Sequence, residues 1–224
     1  MFENIYHDHR VLVTGHTGFK GSWLSSWLLD LGATVAGFST NIPTKPSHFE
    51  VLRLTDRIEH FEGDVRNKGS LQKAIDKFCP EIVFHFAAQS LVRKSYEDPA
   101  LTFETNSIGT LNLLECLRNQ PSIKAAVLIT SDKCYENVEW LWGYRENDRL
   151  GGKDPYSASK ACAELISRVY MESFFKKNGP NIATARAGNV IGGGDWASDR
   201  IVPDCVRAWS EKKPITTRNP KATR

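Results

Sequence analysis

Short aliphatic or β-branched segments alternate with segments of helical apolar spacing along this chain, and that alternation most constrains its fold. Six segments have strand character, at 10–15, 33–38, 58–65, 81–88, 125–130 and 181–190. Four segments between them have helical spacing, at 19–32, 70–78, 99–118 and 156–175. Strands that alternate with helices form parallel sheets with both faces covered. We therefore predict an α/β fold with a doubly wound parallel sheet.

The composition excludes several classes of protein. The net charge of +3 and the absence of a dense basic tract argue against nucleic-acid binding. No apolar run approaches the ~20 residues of a membrane span, and the first ten residues are polar and carry acids, which is not typical of a signal or transit peptide. The five cysteines lie far apart, which favours buried, reduced thiols over disulfides or a zinc site. We expect a cytoplasmic protein without a metal site.

A glycine-rich loop joins the first predicted strand to the first predicted helix. TGHTGFKG places Gly15, Gly18 and Gly21 at this turn. A phosphate group needs free N–H donors and close approach of the backbone, so side chains are excluded there. The strand–turn–helix context favours dinucleotide binding over an incidental tight turn. The loop therefore predicts a Rossmann-type nucleotide-binding sheet, although its spacing differs from the common G-x-G-x-x-G.

The residues after the second and third strands bear on the choice of dinucleotide. Where an acid commonly meets the adenosine ribose, the chain has Ser39, Thr40 and Asn41. No arginine lies beside them to bind a 2′-phosphate, so NAD is favoured over NADP. Asp64 is placed to accept a hydrogen bond from the adenine amino group. A loop acid or helix cap is the alternative role for Asp64.

A tyrosine and a lysine lie four residues apart at the start of the helix predicted over 156–175. This spacing puts Tyr156 and Lys160 on one helix face. A nearby ammonium lowers the pKa of a tyrosine, whose ordinary value of about 10 leaves little phenolate at neutral pH. The pattern also occurs by chance on many helices. Together with the glycine loop and the polar SDK triplet after the fifth strand, it predicts a tyrosine base for a sugar hydroxyl and hydride transfer to nicotinamide.

At this point the sequence resembles the extended short-chain dehydrogenase/reductase family, and within it the nucleotide-sugar 4,6-dehydratases. The motifs are TGHTGFKG, GDV, HFAAQS, NSIGTLNLLE, TSDKCYE, YSASK and RAGNVIGGGDW, and they cover essentially the whole chain. GHTGFKGSWL, VRKSYEDP, WGYREND and the closing RNPKATR resemble the enzymes of this group that act on CDP-glucose.

The resemblance implies a bound NAD that is reduced and reoxidised in each turnover, and it assigns roles. Tyr156 takes the proton of the glucose 4-hydroxyl, and Lys160 lowers its pKa and hydrogen-bonds the nicotinamide ribose. Ser131 polarises the C4 oxygen, and Asp132 protonates the departing 6-hydroxyl. The cofactor residues are Gly15, Thr17, Gly18, Phe19, Gly21, Ser39, Asp64, Val65, Phe86, Ala87, Ala88, Tyr156 and Lys160. The substrate residues are Gln89, Ser90, Asn189 and Arg200.

Lys133 departs from the pattern of the dTDP-glucose enzymes, in which a glutamate takes the C5 proton. The lysine is shared with the enzymes that resemble this chain most. A neutral lysine can act as the base, and a charged one can stabilise the enolate. An ion pair with Asp132 is the third alternative, so the C5 base stays open.

We expect residues 1–190 to form the NAD-binding domain and residues 191–224 to begin an incomplete, smaller substrate-binding region, with one helix over 201–213. The resemblance implies a homo-oligomer, a dimer or tetramer, that pairs through the helices at 99–118 and 156–175. Their apolar faces could equally be core. The expected role is in deoxysugar biosynthesis for polysaccharides such as the O-antigen of lipopolysaccharide. The alternatives are a nucleotide-sugar 4-epimerase, which has no need of Asp132 and Lys133, and a non-catalytic NAD-binding protein.

Overall fold

Residues 2–217 and 220 are described by the computed structural model, and their six strands form one parallel sheet. The strands are β1 Arg10–Thr14, β2 Thr34–Ser39, β3 Glu59–Glu62, β4 Ile82–His85, β5 Ala125–Ile129 and β6 Asn181–Ala185. Their order is β3-β2-β1-β4-β5-β6, and every neighbouring pair is parallel. The predicted Rossmann-type sheet is confirmed. Of the closing RNPKATR motif, all but Pro220 lies outside the described residues.

The helices fall between the strands as predicted, with two additions. They are α1 Phe19–Asp30, α2 His48–Val51, α3 Lys68–Phe78, α4 Val92–Glu97, α5 Pro99–Phe103, α6 Gly109–Leu117, α7 Pro155–Tyr170 and α8 Ile201–Ser210. A π-helical turn, Glu104–Ile108, joins α5 to α6, and another, Met171–Phe175, extends α7. Short 3₁₀ turns lie at Phe2–Asn4, Leu54–Asp56 and Asp132–Cys134. The added helices, α2 and α4, are too short to show helical periodicity. In the described part of the chain, no helix is long and apolar enough to span a membrane.

Side-chain caps define where three helices begin. Asn67, Asp98 and Asp154 each accept a hydrogen bond from the backbone N–H three residues later, at 2.9–3.1 Å. These bonds satisfy donors that have no partner within the helix. Proline follows Asp98 and Asp154 at the first helical position, where its missing N–H costs nothing. Gly32 follows α1 with φ +83°, as its position at the predicted helix end requires.

The sheet is covered by apolar side chains on both faces. Successive residues of β1 point to opposite sides, so Leu12 lies in one core cluster and Val11 and Val13 in the other. The first cluster is built with α3, α6 and the end of α7, and the second with α1 and α2. Burial on both faces explains the uninterrupted apolar runs of the central strands β1 and β4.

Three strands end at least three residues earlier than predicted. β3 ends at Glu62, β4 at His85 and β6 at Ala185, against predicted ends at 65, 88 and 190. The last pair of β1 and β4 is Thr14 with His85, because the chain turns away at Gly15 with φ +72°. The segments beyond these ends leave the sheet. They form the loops of the candidate site.

Candidate active site

The site lies at the carboxyl edge of the sheet, where the strand order reverses. β1 and β4 are neighbours there, although the chain has passed through β2 and β3 between them. The loops that follow them diverge to opposite sides and leave a crevice, the usual place of a ligand in such sheets. The glycine loop follows β1, and Phe86, Ala87 and Ala88 follow β4, so the structure brings the two predicted cofactor segments together.

The three glycines of the loop differ in how closely other atoms approach the place of a side chain. A Cβ on Gly15 would lie 2.7 Å from the backbone nitrogen of Ala87, and a Cβ on Gly21 would collide with the carbonyl oxygen of Gly15. The chain's own packing therefore demands glycine at both positions. At Gly18 the nearest atom to a Cβ would be the Gly15 oxygen at 3.3 Å. Gly18 precedes α1 and provides no side-chain cap, so the N–H groups of the first turn are left for a ligand.

A buried hydrogen-bond chain fixes the two loops relative to each other. The Ala87 N–H donates to Thr14 Oγ1 at 3.2 Å, and Thr14 Oγ1 lies 2.7 Å from His85 Nδ1. Thr110 Oγ1 donates to the carbonyl of Asn106 and lies 3.3 Å from His85 Nε2. Burial, and then the charge of Lys160, lowers the pKa of His85 to about 3, so the ring is neutral. The chain is consistent if Thr14 donates to Nδ1 and Nε2–H donates to Thr110.

The two residues predicted to meet the adenosine have protein partners. The Ser39 hydroxyl is buried and lies 3.1 Å from His16 Nδ1, while His16 Nε2 lies 2.7 Å from His60 Nδ1. Burial lowers the pKa of His16 to about 3, so this ring is also neutral. Asp64 accepts the Arg66 N–H at 2.9 Å and the Arg66 guanidinium at 2.6 Å, which lowers the Asp64 pKa. Their contacts to a nucleotide stay predictions.

Other predicted cofactor residues serve the packing of the same region. The Thr17 hydroxyl donates to the carbonyl of Asn41 at 2.7 Å. Val65 is buried in the core. Phe86 donates its N–H to the carbonyl of Thr14 at 3.0 Å. These contacts hold the backbone around the crevice, and they leave the roles of these residues toward a ligand as predictions.

Most of the predicted catalytic and substrate residues line one cavity of about 840 Å³ beside this crevice. It is enclosed by the ends of β5 and β6, the start of α7, the loop after β4, and α8. The predicted residues that line it are Ser131, Asp132, Lys133, Tyr156, Ser90, Asn189 and Arg200. Residues from five separate parts of the sequence therefore meet at one place.

Ser131 connects the acid to the tyrosine. It follows β5 and caps the 3₁₀ turn, accepting the Lys133 N–H at 3.3 Å and donating to Asp132 Oδ1 at 3.0 Å. Burial raises the pKa of Tyr156, and the hydrogen bond with Ser131 opposes that rise. The pKa of Tyr156 is therefore raised in this structure, whereas the sequence led us to expect a lowered one. The physical reason is that burial outweighs the available hydrogen bond.

Lys160 lies one helical turn beyond Tyr156 and is buried behind the cavity wall. Its ammonium donates to the carbonyl of Ile129, the last residue of β5, at 3.1 Å. Burial and the charge of Lys20 lower the pKa of Lys160 to about 8, and Glu164 opposes that fall. Lys160 thus contacts the strand that leads to Ser131, and its effect on Tyr156 stays a prediction.

Gln89 has hydrogen-bond partners within the protein, and its contact to a substrate stays a prediction. Its side-chain amide donates to the carbonyl of Leu91 and to Thr102 Oγ1, both at 3.0 Å, and accepts the Leu91 N–H at 2.7 Å. Its backbone N–H donates to Asn106 at 2.8 Å. Both polar ends of the side chain are therefore used within the loop after β4. Gln89 shapes that loop, which presents the neighbouring Ser90 to the cavity.

The loop from 191 to 200 is attached to α1 and α2. Trp23 Nε1 donates to the carbonyl of Gly193 at 2.8 Å, and the Trp23 ring stacks on His48 with 4.6 Å between centroids. Gly194, with φ +81°, lies against His48 so closely that a Cβ would collide with it. Arg200 forms an ion pair with the buried Asp195 at 3.0 Å. Contacts from the first third of the sequence thus position the predicted substrate loop.

A buried ion pair between Arg186 and Glu164 lies beside Thr130, the residue that precedes Ser131. Arg186 donates to Glu164 at 2.8 Å, and the Thr130 hydroxyl and Thr184 hydroxyl donate to the same carboxylate. Burial raises the pKa of Glu164, but the hydrogen bonds from Arg186 and Thr130 outweigh it, so the pKa is lowered. Thr130 directly precedes Ser131. The network therefore holds Ser131 at its place in the cavity.

A known protein family matches most of this chain. A family model described as GDP-mannose 4,6 dehydratase matches residues 12–181, which include the glycine loop, the Ser131–Lys133 triplet and α7. The chain belongs to this family. The matched range ends at Asn181, the first residue of β6, and does not include the 191–200 loop.

The chain is also similar to a curated relative and to solved structures. The chain is 53% identical to CDP-glucose 4,6-dehydratase of Salmonella typhimurium over 99% of its own length, and it spans 63% of that protein. It resembles the structure of Thermus thermophilus UDP-glucose 4-epimerase in complex with NAD, with 34% identity and a TM-score of 0.74 over 85% of this chain and 58% of the other. For Bacillus anthracis dTDP-glucose 4,6-dehydratase in complex with NAD the values are 25% and 0.77, over 92% and 63%.

Two residues that lie at or beside the site, Lys20 and Trp23, were not predicted from the sequence. Lys20 lines the cavity, although the glycine loop motif was interpreted through its glycines and Phe19. Trp23, counted only as part of an apolar helix face, bonds the 191–200 loop. A lysine within a phosphate-binding loop was a signal that could have indicated the first. Nothing local indicated the second, because its partner lies 170 residues away.

Among the described residues, no group of three His, Cys, Asp or Glu side chains could hold a metal ion.

Proposed function

We propose that this chain is the cofactor-binding and catalytic part of a nucleotide-sugar 4,6-dehydratase that converts CDP-glucose to CDP-4-keto-6-deoxyglucose. The observation that carries the proposal is the meeting of Ser131, Asp132, Lys133 and Tyr156 in one cavity. The 53% identity to the Salmonella CDP-glucose 4,6-dehydratase supports the choice of substrate. An epimerase needs a serine and a tyrosine but has no use for the acid and the lysine that follow Ser131.

NAD is the proposed cofactor, and the residues at the crevice fit it. The uncapped first turn of α1 after Gly18 offers N–H donors to its diphosphate. Ser39, Asp64 and the loop after β4 would hold the adenosine and the ribose, and Lys160 the nicotinamide ribose. When bound, NAD supplies a hydride acceptor for the sugar C4 and returns the hydride to C6. NAD is present in the Thermus and Bacillus structures that the chain resembles.

The side chains of the cavity divide the proton transfers between them. Tyr156 takes the proton of the 4-hydroxyl, and Ser131 hydrogen-bonds the C4 oxygen as it becomes a carbonyl. The 4-keto group acidifies the C5 proton, whose removal and the loss of the 6-hydroxyl as water give the C5–C6 alkene. Asp132, in its protonated form, gives the proton to the departing hydroxyl. Lys133 serves the C5 step as base or as the cation beside the enolate, and a proton returns to C5 when the hydride is added at C6.

The raised pKa of Tyr156 sets a condition on this mechanism. A buried tyrosine with little phenolate at neutral pH is a poor base until a positive charge comes near its oxygen. Lys160, with a pKa of about 8, is still largely protonated at pH 7. Movement of its ammonium from the Ile129 carbonyl toward Tyr156 would supply that charge.

The organisation of the protein is also part of the proposal. Residues 1–190 would bind NAD, and residues 191–224 would begin the substrate-binding region. The protein would form a dimer or tetramer in the cytoplasm, through α5, α6 and α7, where Ile108, Leu165 and Val169 are exposed. Its product would feed deoxysugar synthesis for polysaccharides such as the O-antigen of lipopolysaccharide.

One assay separates the candidate functions. The full-length protein is incubated with NAD and CDP-glucose, and the 4-keto-6-deoxy sugar is detected by its alkaline absorbance. Tyr156→Phe is the matched control, since it keeps the ring and removes only the hydroxyl. Wild-type conversion together with loss in this variant supports the proposal. Formation of CDP-galactose would instead identify an epimerase, and no reaction with CDP-, dTDP- or UDP-glucose would identify a non-catalytic NAD-binding protein.

A further inference from the structure

Lys20 is a cavity residue to which neither the mechanism nor the family match gives a role. It is the second residue of α1 and directly follows Gly18 and Phe19 of the glycine loop. Its side chain lines the same cavity as Tyr156 and Arg200 and is partly buried. The position joins the cofactor crevice to the predicted substrate site.

Lys20 has no salt-bridge partner among the described residues, although Asp132, Asp195 and Asp199 line the same cavity. Two carboxylates of the cavity wall are used by arginines, Asp195 by Arg200 and Asp199 by Arg93, each at 3.0 Å. Within residues 2–217, no carboxylate forms a salt bridge with Lys20. Its ammonium lies 5.8 Å from the centre of the Phe86 ring, a weak contact for a cation.

The cations of this region act on one another. Burial, and then the charge of Arg200, lowers the pKa of Lys20. The charge of Lys20 in turn contributes to the lowered pKa of Lys160. Three cationic side chains from α1, the 191–200 loop and α7 therefore share one electrostatic field. A partly buried ammonium without a counter-ion is costly, and a bound anion would relieve that cost.

We propose that the Lys20 ammonium binds a phosphate oxygen of a nucleoside diphosphate group in this cavity. The inference rests on the proposed function, whose substrate and cofactor both contain a diphosphate. A phosphate satisfies the site because it is a strong acceptor that can lie between Lys20 and Arg200. It can also face the N–H groups of the first turn of α1. Lysine suits this task as a compact charge on a long stem, since it needs no fixed bidentate geometry.

The test measures two ligands on the full-length protein by isothermal titration calorimetry. CDP reports the diphosphate of the nucleotide sugar, and NAD reports that of the cofactor. Lys20→Met removes the charge and keeps the length of the side chain. We expect it to weaken one of the two ligands by about tenfold or more, since a hydrogen bond to a charged partner is lost. Lys20→Arg should keep the affinity within about threefold.

The outcomes are distinct. A loss with CDP assigns Lys20 to the nucleotide sugar, and a loss with NAD assigns it to the cofactor. Lys73→Met on the exposed face of α3 is the matched control and should change neither affinity. Equal affinities of wild type and Lys20→Met for both ligands would overturn the inference and leave the proposed function intact. If the wild type binds neither CDP nor NAD, the proposed function itself fails, and this inference with it.

Discussion

Replacing Lys160 with methionine should stabilise the folded protein while it abolishes turnover. The side chain is buried, and its pKa falls from 10.5 to about 8. That fall corresponds to about 3 kcal/mol, because each tenfold change in an ionisation constant is worth about 1.4 kcal/mol. Methionine cannot make the hydrogen bond to the Ile129 carbonyl, and this loss offsets about 1 kcal/mol of the gain in stability. Lys160→Met should therefore raise the free energy of unfolding at pH 7 by about 2 kcal/mol.

The same reasoning predicts how the difference depends on pH. Between pH 8 and 10.5 the unfolded chain keeps the Lys160 proton and the folded protein releases it, so the unfolded state binds more protons. The free energy of unfolding of the wild type therefore gains from this residue as the pH rises through that window. The electrostatic cost of about 3 kcal/mol at pH 7 should fall to about 1 kcal/mol at pH 9.5. With the lost hydrogen bond included, the two proteins should then be about equally stable.

Urea unfolding at pH 7 and pH 9.5, followed by circular dichroism, measures these differences. Lys73→Met, an exposed lysine of α3, controls for loss of one positive charge and should stay within about 0.5 kcal/mol of wild type. CDP-glucose turnover is measured on the same preparations. A Lys160→Met protein that is less stable than wild type at pH 7, or a stability difference that does not change with pH, would refute the argument from burial.

Three further predictions concern the loop, the ion pair and the triplet. Gly15→Ala should cost at least about 2 kcal/mol of stability in urea unfolding, because φ is +72° and the backbone after β4 is too close. Gly18→Ala should have a free energy of unfolding within about 1 kcal/mol of wild type but should bind NAD more weakly in calorimetry. A larger loss of stability in Gly18→Ala than in Gly15→Ala would contradict the loop geometry. Glu164→Gln should cost about 3 kcal/mol at pH 7, since it leaves Arg186 without its buried counter-ion. Because the pKa of Glu164 is lowered in the folded protein, the stability difference between wild type and Glu164→Gln should shrink as the pH falls below the ordinary carboxyl range. A stability difference that does not change with pH would contradict this prediction. Lys133→Glu should retain NAD affinity but slow deuterium incorporation from solvent at C5, and unchanged turnover would exclude Lys133 from that step.

The sheet and the glycine loop were predictable because their signals are local. The apolar run of β1 and the helical spacing of α1 each fit within a dozen residues. The turn at Gly15 lies between them, and its need for glycine follows from one backbone conformation. Tyr156 and Lys160 were placed on one helix face by their spacing of four residues. These features depend on the order of residues along a short stretch of chain.

The ends of the strands and several side-chain roles were not predictable in this way. β4 stops at His85 because β1 turns away there, an event 71 residues earlier in the sequence. The side-chain amide of Gln89 donates to Thr102 of α5, and its backbone N–H donates to Asn106 of the π-helical turn, contacts that its own short segment does not indicate. The hydroxyl of Ser39 meets His16 because the glycine loop folds over the end of β2. Each outcome depends on partners that are distant in sequence.

The sequence by itself determined the parallel sheet, the nucleotide crevice and the identity of the polar residues that could act there. Only the tertiary structure decided that Tyr156 has a raised pKa, that Lys160 has a lowered one and that Lys20 lines the same cavity as Tyr156. The physical reason is that periodicity and turn chemistry act over a few residues. Burial and electrostatic interaction, in contrast, sum over every group that folding brings within several ångströms.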